Sequence, residues 1–171
     1  DDVMHVVAAD TPVPAEGTKA VLVLDWERRH RLMRMHTCLH LLSAILPFPV
    51  TGGQVSDGKG RLDFDMAEAP PEKEIITERL NEMVAGDHAV SQRWVEDAEV
   101  DSNPALVKTM SVQPPRGMGR VRLISVEGLD LQACGGTHVA RTGEIGRVRV
   151  RKIESKGKQN RRVLLEFEEQ P

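Results

Sequence analysis

Apolar residues recur at three- and four-residue steps along residues 27–46 (ERRHRLMRMHTCLHLLSAIL), through Leu32, Met35, Leu39, Leu42 and Leu46. That period predicts an α-helix with one apolar stripe, ended by Pro47 and Pro49. A second helical pattern over 72–85 follows Pro70 and Pro71 and sets Ile75, Ile76, Leu80, Met83 and Val84 on one side, with Gly86 as its C-cap. Short apolar runs bounded by Gly, Pro and Asp predict strands at 3–9, 19–26, 61–66, 88–95, 120–127, 129–133, 145–153 and 161–168. The Gly-rich stretch 51–60 (TGGQVSDGKG) reads as a loop, and so does 96–119, with Pro104, Pro114, Pro115, Gly117 and Gly119. Mixed helices and strands with hairpin-like spacing late in the chain predict an α+β fold, a mixed, mainly antiparallel sheet packed by helices, rather than a doubly wound sheet.

The 171 residues are enough for one well-buried domain with a small appendage, which places the expected division at 1–26 (the remnant or edge of an N-terminal β-domain) and 27–171. With no Tyr, three Phe and two Trp, a base-stacking platform is hard to build. Cys38 and Cys134 are too few for a disulfide-stapled secreted scaffold. No apolar stretch approaches the ~20 residues that span a bilayer, so no membrane partner is expected. The acidic start DDVMHVVAAD lacks the features of a signal peptide, and the cytoplasm is the expected compartment. A net charge of −3 argues against a general nucleic-acid coat, and DNA is not expected as a partner.

Two short motifs change the picture. In His36-Thr37-Cys38-Leu39-His40 the histidines stand four apart, so on a helix they lie ~40° apart around the axis and one turn apart along it. Such pairs are also found as unrelated surface residues. In Cys134-Gly135-Gly136-Thr137-His138 a thiol and an imidazole flank two glycines, whose tolerance of positive φ suits a tight turn. Together the motifs offer His36, His40, Cys134 and His138, a nitrogen/sulfur set that suits tetrahedral Zn2+. Ser43 and Ala44 are small enough to leave space beside an ion. Thr37 stands where a zinc-protease helix carries its Glu base, and a deaminase would need a Glu beside its His and a Cys-x-x-Cys pair, both missing. Cys38 points away from the histidine face and is expected in the core. His5, His30 and His88 have no partner at metal spacing.

The segments HTCLHLL and CGGTHVARTGEIG, with LDWERRHRLMRMHT and RLDFDM around the first, closely resemble the editing domain of alanyl-tRNA synthetases and the freestanding AlaX proteins. The resemblance runs from about Lys19 to the C-terminus. It implies a synthetase editing-domain fold built around zinc, with His36, His40, Cys134 and His138 as ligands. It further implies hydrolysis of Ser-tRNA(Ala), or Gly-tRNA(Ala), to free amino acid and tRNA, with Thr37 sensing the serine hydroxyl and Gln54 in the position of a functional Gln. A structural role for Thr37, bonding back to its own helix turn, is the alternative. The surroundings of Gln54 depart from the synthetase pattern, and the GGQPxD-like motif of longer freestanding members is missing. Other readings are a non-catalytic tRNA-binding module with structural zinc, or an editing domain for Ser-tRNA(Thr).

Residues 141–162 hold nine basic residues against Glu144 and Glu154. Arg147, Arg149 and Arg151 alternate and would share one strand face, with Val148 and Val150 on the other. With Lys156, Lys158 and Arg161 at an expected hairpin tip, they are the candidate phosphate contacts to tRNA. A solvated face neutralised by nearby Glu is the competing reading.

Overall fold

The computed structural model describes residues 6–110 and 119–168. In chain order the elements are α1 (Trp26–Ile45), β1 (Val50–Ser56), β2 (Lys59–Asp65), α2 (Lys73–Ala85), β3 (Val90–Glu96), α3 (Asp97–Ser102), β4 (Arg120–Val126), β5 (Asp130–Ala133), β6 (Val148–Ser155) and β7 (Asn160–Phe167). Short 3-10 turns occupy Pro104–Leu106 and Thr142–Ile145. The strands form two antiparallel sheets, a four-stranded one in the order β1-β2-β7-β6 and a three-stranded one in the order β3-β4-β5. The α+β class read from the sequence holds, with two sheets in place of one.

Helix α1 ties the layers together. The Asp25 carboxylate accepts from the Arg28 backbone N–H, a side-chain cap that starts the helix one residue earlier than expected. Beyond the expected stripe of Met35, Leu39 and Leu42, the residues Cys38, Leu41 and Ile45 are also buried. The second half of the helix is therefore enclosed on all sides, in contact with α2, β1, β2 and β5. Helix α2 adds Ile76, Leu80 and Val84 to the same core. A smaller apolar cluster of Val95, Val100, Leu106, Val121 and Leu123 lies under β3 and β4.

Several expectations are corrected. The stretch 51–60 is largely strand: β1 and β2 pair through a hairpin whose turn is Asp57-Gly58, with Gly58 at φ +72°. Glycine is required at 60 because a Cβ there would stand 2.9 Å from the Met35 side chain, so the hairpin packs directly on α1. Among the described residues 6–25 there is no strand. Val21, Leu22 and Val23 of the expected strand 19–26 are 89%, 77% and 87% exposed, because no neighbouring strand completes a ladder for them. Residues 3–5, His5, Pro114, Pro115 and Gly117 lie outside the described residues. Ile75 faces outward from α2, while Gly86 is the C-cap as expected and the left-handed turn follows at Asp87 (φ +46°). The strand expected at 145–153 starts at Val148, because Ile145 closes a buried 3-10 turn.

Truncating Leu41, fully buried on the face of α1 that the stripe did not include, is expected to cost about 2–5 kcal/mol, whereas Ile75→Ala stays within about 0.5 kcal/mol. Urea denaturation of the two variants checks the difference. Equal losses would contradict the all-round burial of α1.

Candidate metal centre

Four ligand atoms converge where α1 meets the end of β5. His36 and His40 come from successive turns of the helix. Cys134 follows β5 directly, and His138 is delivered by the turn that the two glycines begin. Their ligand atoms all lie within 4.8 Å of one another. Cys134 Sγ is 3.5 Å from His36 Nε2 and 3.4 Å from His138 Nε2.

Each imidazole is oriented by its other nitrogen. His36 Nδ1 donates to the Thr137 carbonyl at 3.2 Å, and His40 Nδ1 donates to Asp130 Oδ2 at 3.2 Å. The Thr37 hydroxyl donates to the Met33 carbonyl (3.0 Å), so it accepts from His138 Nδ1 at 3.1 Å. With a proton on every Nδ1, all three Nε2 lone pairs face the centre. A tetrahedral zinc with bonds of about 2.0–2.3 Å needs ligand atoms about 3.4–3.6 Å apart. The two sulfur–nitrogen separations match that spacing, and the cluster can hold a metal ion.

The protonation states of Cys134 and His138 suit the same purpose. Burial alone would raise the Cys134 thiol, but the contacts with the surrounding imidazoles of His138, His36 and His40 outweigh it and bring the thiol down to about 3. Burial, reinforced by the neighbouring His40 and His36, lowers His138 to about 4 despite its bond to Cys134. Thiolate and neutral imidazole are the forms that ligate.

Behind His40 lies a buried polar cluster that the sequence reading missed. The Asp130 side chain has no exposed surface, and burial would raise its carboxyl. Bonds from His40, Gln132 and Lys108 reverse the effect and hold it at about 2. Gln132 Nε2 donates to Asp130 Oδ2 (2.7 Å) and to Ser43 Oγ (3.1 Å), and Lys108 Nζ reaches Asp130 Oδ1 (2.5 Å). The available signal was the period of two along β5, which puts Asp130, Gln132 and Cys134 on one face.

The two glycines of CGGTH act differently from expectation. Neither has positive φ. A Cβ at Gly135 would meet open space, whereas one at Gly136 would overlap the His36 ring. Gly136 is also pinned by Arg122, whose Nη1 donates to its carbonyl at 2.7 Å.

A cleft of about 230 Å³ opens beside the ligands, walled by Leu39, Val50, Gly53, Val55 and Leu62. Ser43 lines it, as its small size suggested, and so does Gln54 on β1, whose Oε1 accepts from Arg61 at 3.3 Å. Thr37 does not line it. Its side chain is fully buried, and a hydroxyl has one donor and two acceptor positions. Met33 O, His138 Nδ1 and the Val139 N–H (3.3 Å) take all three, the first of them the bond back to its own helix turn. Cys38 is fully buried, with its thiol pushed up to about 12 by burial. His30 pairs with Glu144 at 2.9 Å.

The basic residues lie away from the cleft. Arg149 and Arg151 project outward from β6, as the alternation predicted, with Val148 and Val150 inward. Carboxylates face most of them: Arg147 meets Glu168, Arg149 and Arg151 share Glu166, and Lys156 pairs with Glu154. Arg161 clasps the β6–β7 turn through the carbonyls of Gly157 and Asn160. Lys158 is exposed and makes no ion pair among the described residues.

Gly136→Ala is expected to displace His36 and weaken metal binding about 10–100-fold, while Gly135→Ala leaves it unchanged; competition with a chelating dye reads both. In the metal-free chain, Asp130 is depressed from 3.8 to about 2 on folding. A depressed carboxyl stabilises the fold above its unfolded pKa, here by about 2 kcal/mol, and the contribution fades as pH falls from about 4 to about 2. Urea midpoints across that window are expected to fall less steeply for Asp130→Asn than for the unaltered chain.

Comparison with known proteins agrees with this geometry. Residues 121–163 match the family described as the threonyl and alanyl tRNA synthetase second additional domain. Alanyl-tRNA editing protein AlaX-M of Methanosarcina mazei is 32% identical across 99% of this chain and 71% of its own length. The AlaX-M of Saccharolobus solfataricus is 34% identical across 85% of this chain and 62% of its own. An alanine–tRNA ligase of Pyrobaculum calidifontis is 35% identical across 89% of this chain but 18% of the ligase. The chain thus spans between 62% and 71% of the length of these two editing relatives. Shared along nearly its whole length, this likeness makes the chain a member of the AlaX-M family of alanyl-tRNA editing proteins.

Proposed function

We propose that this chain is a zinc-dependent deacylase that hydrolyses tRNA(Ala) mischarged with serine, and with glycine as a second substrate, to free amino acid and tRNA. The observation that carries the reading is the convergence of one thiolate and three oriented imidazoles beside a cleft with apolar walls. When bound, zinc supplies Lewis-acid polarisation at the base of that cleft. The chain's own residues do the rest. Asp130, Thr37 and the Thr137 carbonyl keep the three imidazoles aimed at one point. Leu39, Val50 and Leu62 limit water around the ester, and Gln54, held by Arg61, offers a polar contact on the opposite wall. The editing relatives and the alanine–tRNA ligase support tRNA(Ala) as the carrier, by what they are named for.

In this reading residues 27–171 form the editing domain, and residues 1–26 belong to the edge of an N-terminal β-domain. The exposed Val21, Leu22 and Val23 support the second assignment, since water disfavours such a run. The protein acts in the cytoplasm, where charged tRNA is found. Phosphate contacts come from Arg147, Arg149, Arg151, Lys156, Lys158 and Arg161, with Lys158 the least encumbered by carboxylates.

The zinc-loaded chain is expected to release serine from Ser-tRNA(Ala), to leave Ala-tRNA(Ala) charged, and to lose the activity on chelation. A folded, zinc-loaded chain that releases nothing would overturn the reading and leave a tRNA-binding module. Lys158→Ala is expected to weaken tRNA binding and to lower the slope of log affinity against log salt by about one, without altering zinc content. Filter binding across a salt series measures it.

A further inference from the structure

We infer that a groove on the far side of α1 from the metal centre is a second binding site, taking backbone phosphates of an RNA strand on Arg34 and Lys59. The inference rests on the deacylase reading for the identity of the RNA, and deepens it.

The groove runs between the first half of α1 and the end of the four-stranded sheet, and its volume is about 1140 Å³. At ~100° per residue, Arg34 stands about 160° around the helix from His36, and Arg31 about 180° from His40. Every carboxylate that lines it is already matched. Arg31 holds Asp57 at 2.5 Å, Arg147 holds Glu168 at 2.8 Å and Arg149 holds Glu166 at 2.6 Å. Two cations of the lining are left over, Arg34 and Lys59. Lys59 stands opposite Glu166 in the register of β2 and β7, but that carboxylate is turned to Arg149 and Arg151. Exposed beside the hairpin turn, Lys59 makes no ion pair among the described residues.

Arg34 is fixed before any ligand arrives. Its Nε and Nη2 both donate to the Ile145 carbonyl, at 2.9 and 2.7 Å, and its guanidinium lies 4.3 Å from the centroid of the Phe167 ring. Gly146 permits this approach, since a Cβ there would stand 2.9 Å from Nη2. The Nη1 edge carries no bond among the described residues. Burial and the neighbouring Arg31 push the guanidinium below its ordinary value, as happens to a cation without a counter-charge.

An oriented guanidinium with an open edge calls for an oxyanion, and phosphate suits its planar fork. Volume selects the form. The groove is several times larger than the metal cleft, so an extended polyanion fits it better than a lone phosphate. Phe167, the one aromatic side chain in the lining among the described residues, is covered by Arg34 and packs on the main core. It is not free to stack a base, so the groove holds backbone without reading sequence. The β1–β2 hairpin joins the two sites. Gln54 lines the metal cleft, Gly58 lines the groove, and about 13 Å of strand separates them. A strand with its 3′ ester in the cleft can cross that turn and set its preceding phosphates in the groove.

The test uses Lys59→Gln and Arg34→Gln, with Arg120→Gln as the same charge change on an exposed residue of the other sheet. Zinc stoichiometry and thermal midpoint identify any variant that fails to fold, and the exposed Lys59 keeps the test standing if Arg34→Gln does. The first readout is binding of an uncharged acceptor-stem hairpin with its single-stranded 3′ end, which reports independently of turnover. Each groove variant is expected to weaken binding about threefold or more and to lower the slope of log affinity against log salt by about one, and Arg120→Gln to change neither. The second readout is hydrolysis of Ser-tRNA(Ala) and of 3′-seryl adenosine, which lacks the preceding phosphates. The groove variants are expected to raise KM about threefold or more on the first and to leave the second unchanged. An equal effect of Arg120→Gln would overturn the assignment in favour of net charge, and an equal loss on seryl adenosine would overturn it in favour of an effect carried through α1. Pyrophosphate and poly-glutamate serve as further probes at constant ionic strength. Variants that lose either of these while binding the hairpin unchanged would overturn the RNA assignment, in favour of a free phosphate ester or an acidic protein segment respectively. If neither seryl ester is hydrolysed and the hairpin arm behaves as expected, the deacylase reading fails while the phosphate site stands.

Discussion

The buried carboxylate of Asp130 is the contact on which the centre depends. Its side chain has no exposed surface, so it stays ionised only because His40, Gln132 and Lys108 all donate to it. Those three bonds reach in three directions. One fixes the His40 tautomer, one turns the Gln132 amide, and one draws the segment after the Pro104–Leu106 turn against the sheet. That segment continues into Thr109, which bridges to Val50 at the edge of β1. Loss of the carboxylate would leave Lys108 without its counter-ion and three groups without their acceptor. The metal site, the cleft wall and the sheet edge thus share one point of failure.

Rigid support for that point comes from α1. An amphipathic helix on a surface has one constrained face and can roll, whereas the second half of α1 is enclosed all round by Cys38, Leu41, Leu42 and Ile45. Its two histidines then stand in place before any metal arrives. The opposing ligands are held as firmly, since Arg122 anchors the Gly136 carbonyl and the Thr37 hydroxyl receives both His138 Nδ1 and the Val139 N–H. Close approach is the device that joins the two halves. At Gly136 the backbone lies so near the His36 ring that no side chain fits.

Much of this was legible in the chain, and the parts that were not share a cause. The four ligands could be read because their spacing along a helix and around a turn is short-range geometry. Helix α1 and most late strands could be read because their apolar periods are local. Strand β1 looks like a loop in the sequence because Thr51, Gly52, Gly53 and Gln54 carry no strand pattern. Its strand character comes from pairing with β2 and from packing on Met35, which are tertiary effects. Residues 19–26 show the reverse, a strand pattern with no partner strand in the described residues. Asp130 and Lys108 are ordinary polar residues in sequence, and only the fold brings them 2.5 Å apart. Thr37 stood next to a ligand, and no spacing rule reveals which way a hydroxyl's three positions are filled.

The charge pattern divides the molecule into two tasks. On β6 and β7, arginines and glutamates face each other across the register: Arg149 sits opposite Glu166, and Arg147 meets Glu168 beyond the strand end. Exposed pairs of this kind add little stability, and each carboxylate reduces the attraction of its arginine for phosphate. The basic run that dominates the sequence is therefore a balanced surface, with Lys158 at its turn the one candidate contact for which no partner is seen among the described residues. At the cleft the logic is inverted. There the charges are buried, and the Asp130 carboxylate and the Cys134 thiolate face Lys108 and the metal that the His/Cys set would hold. A balanced outer surface attracts a polyanion only weakly, whereas the charges at the cleft act at short range in a buried setting.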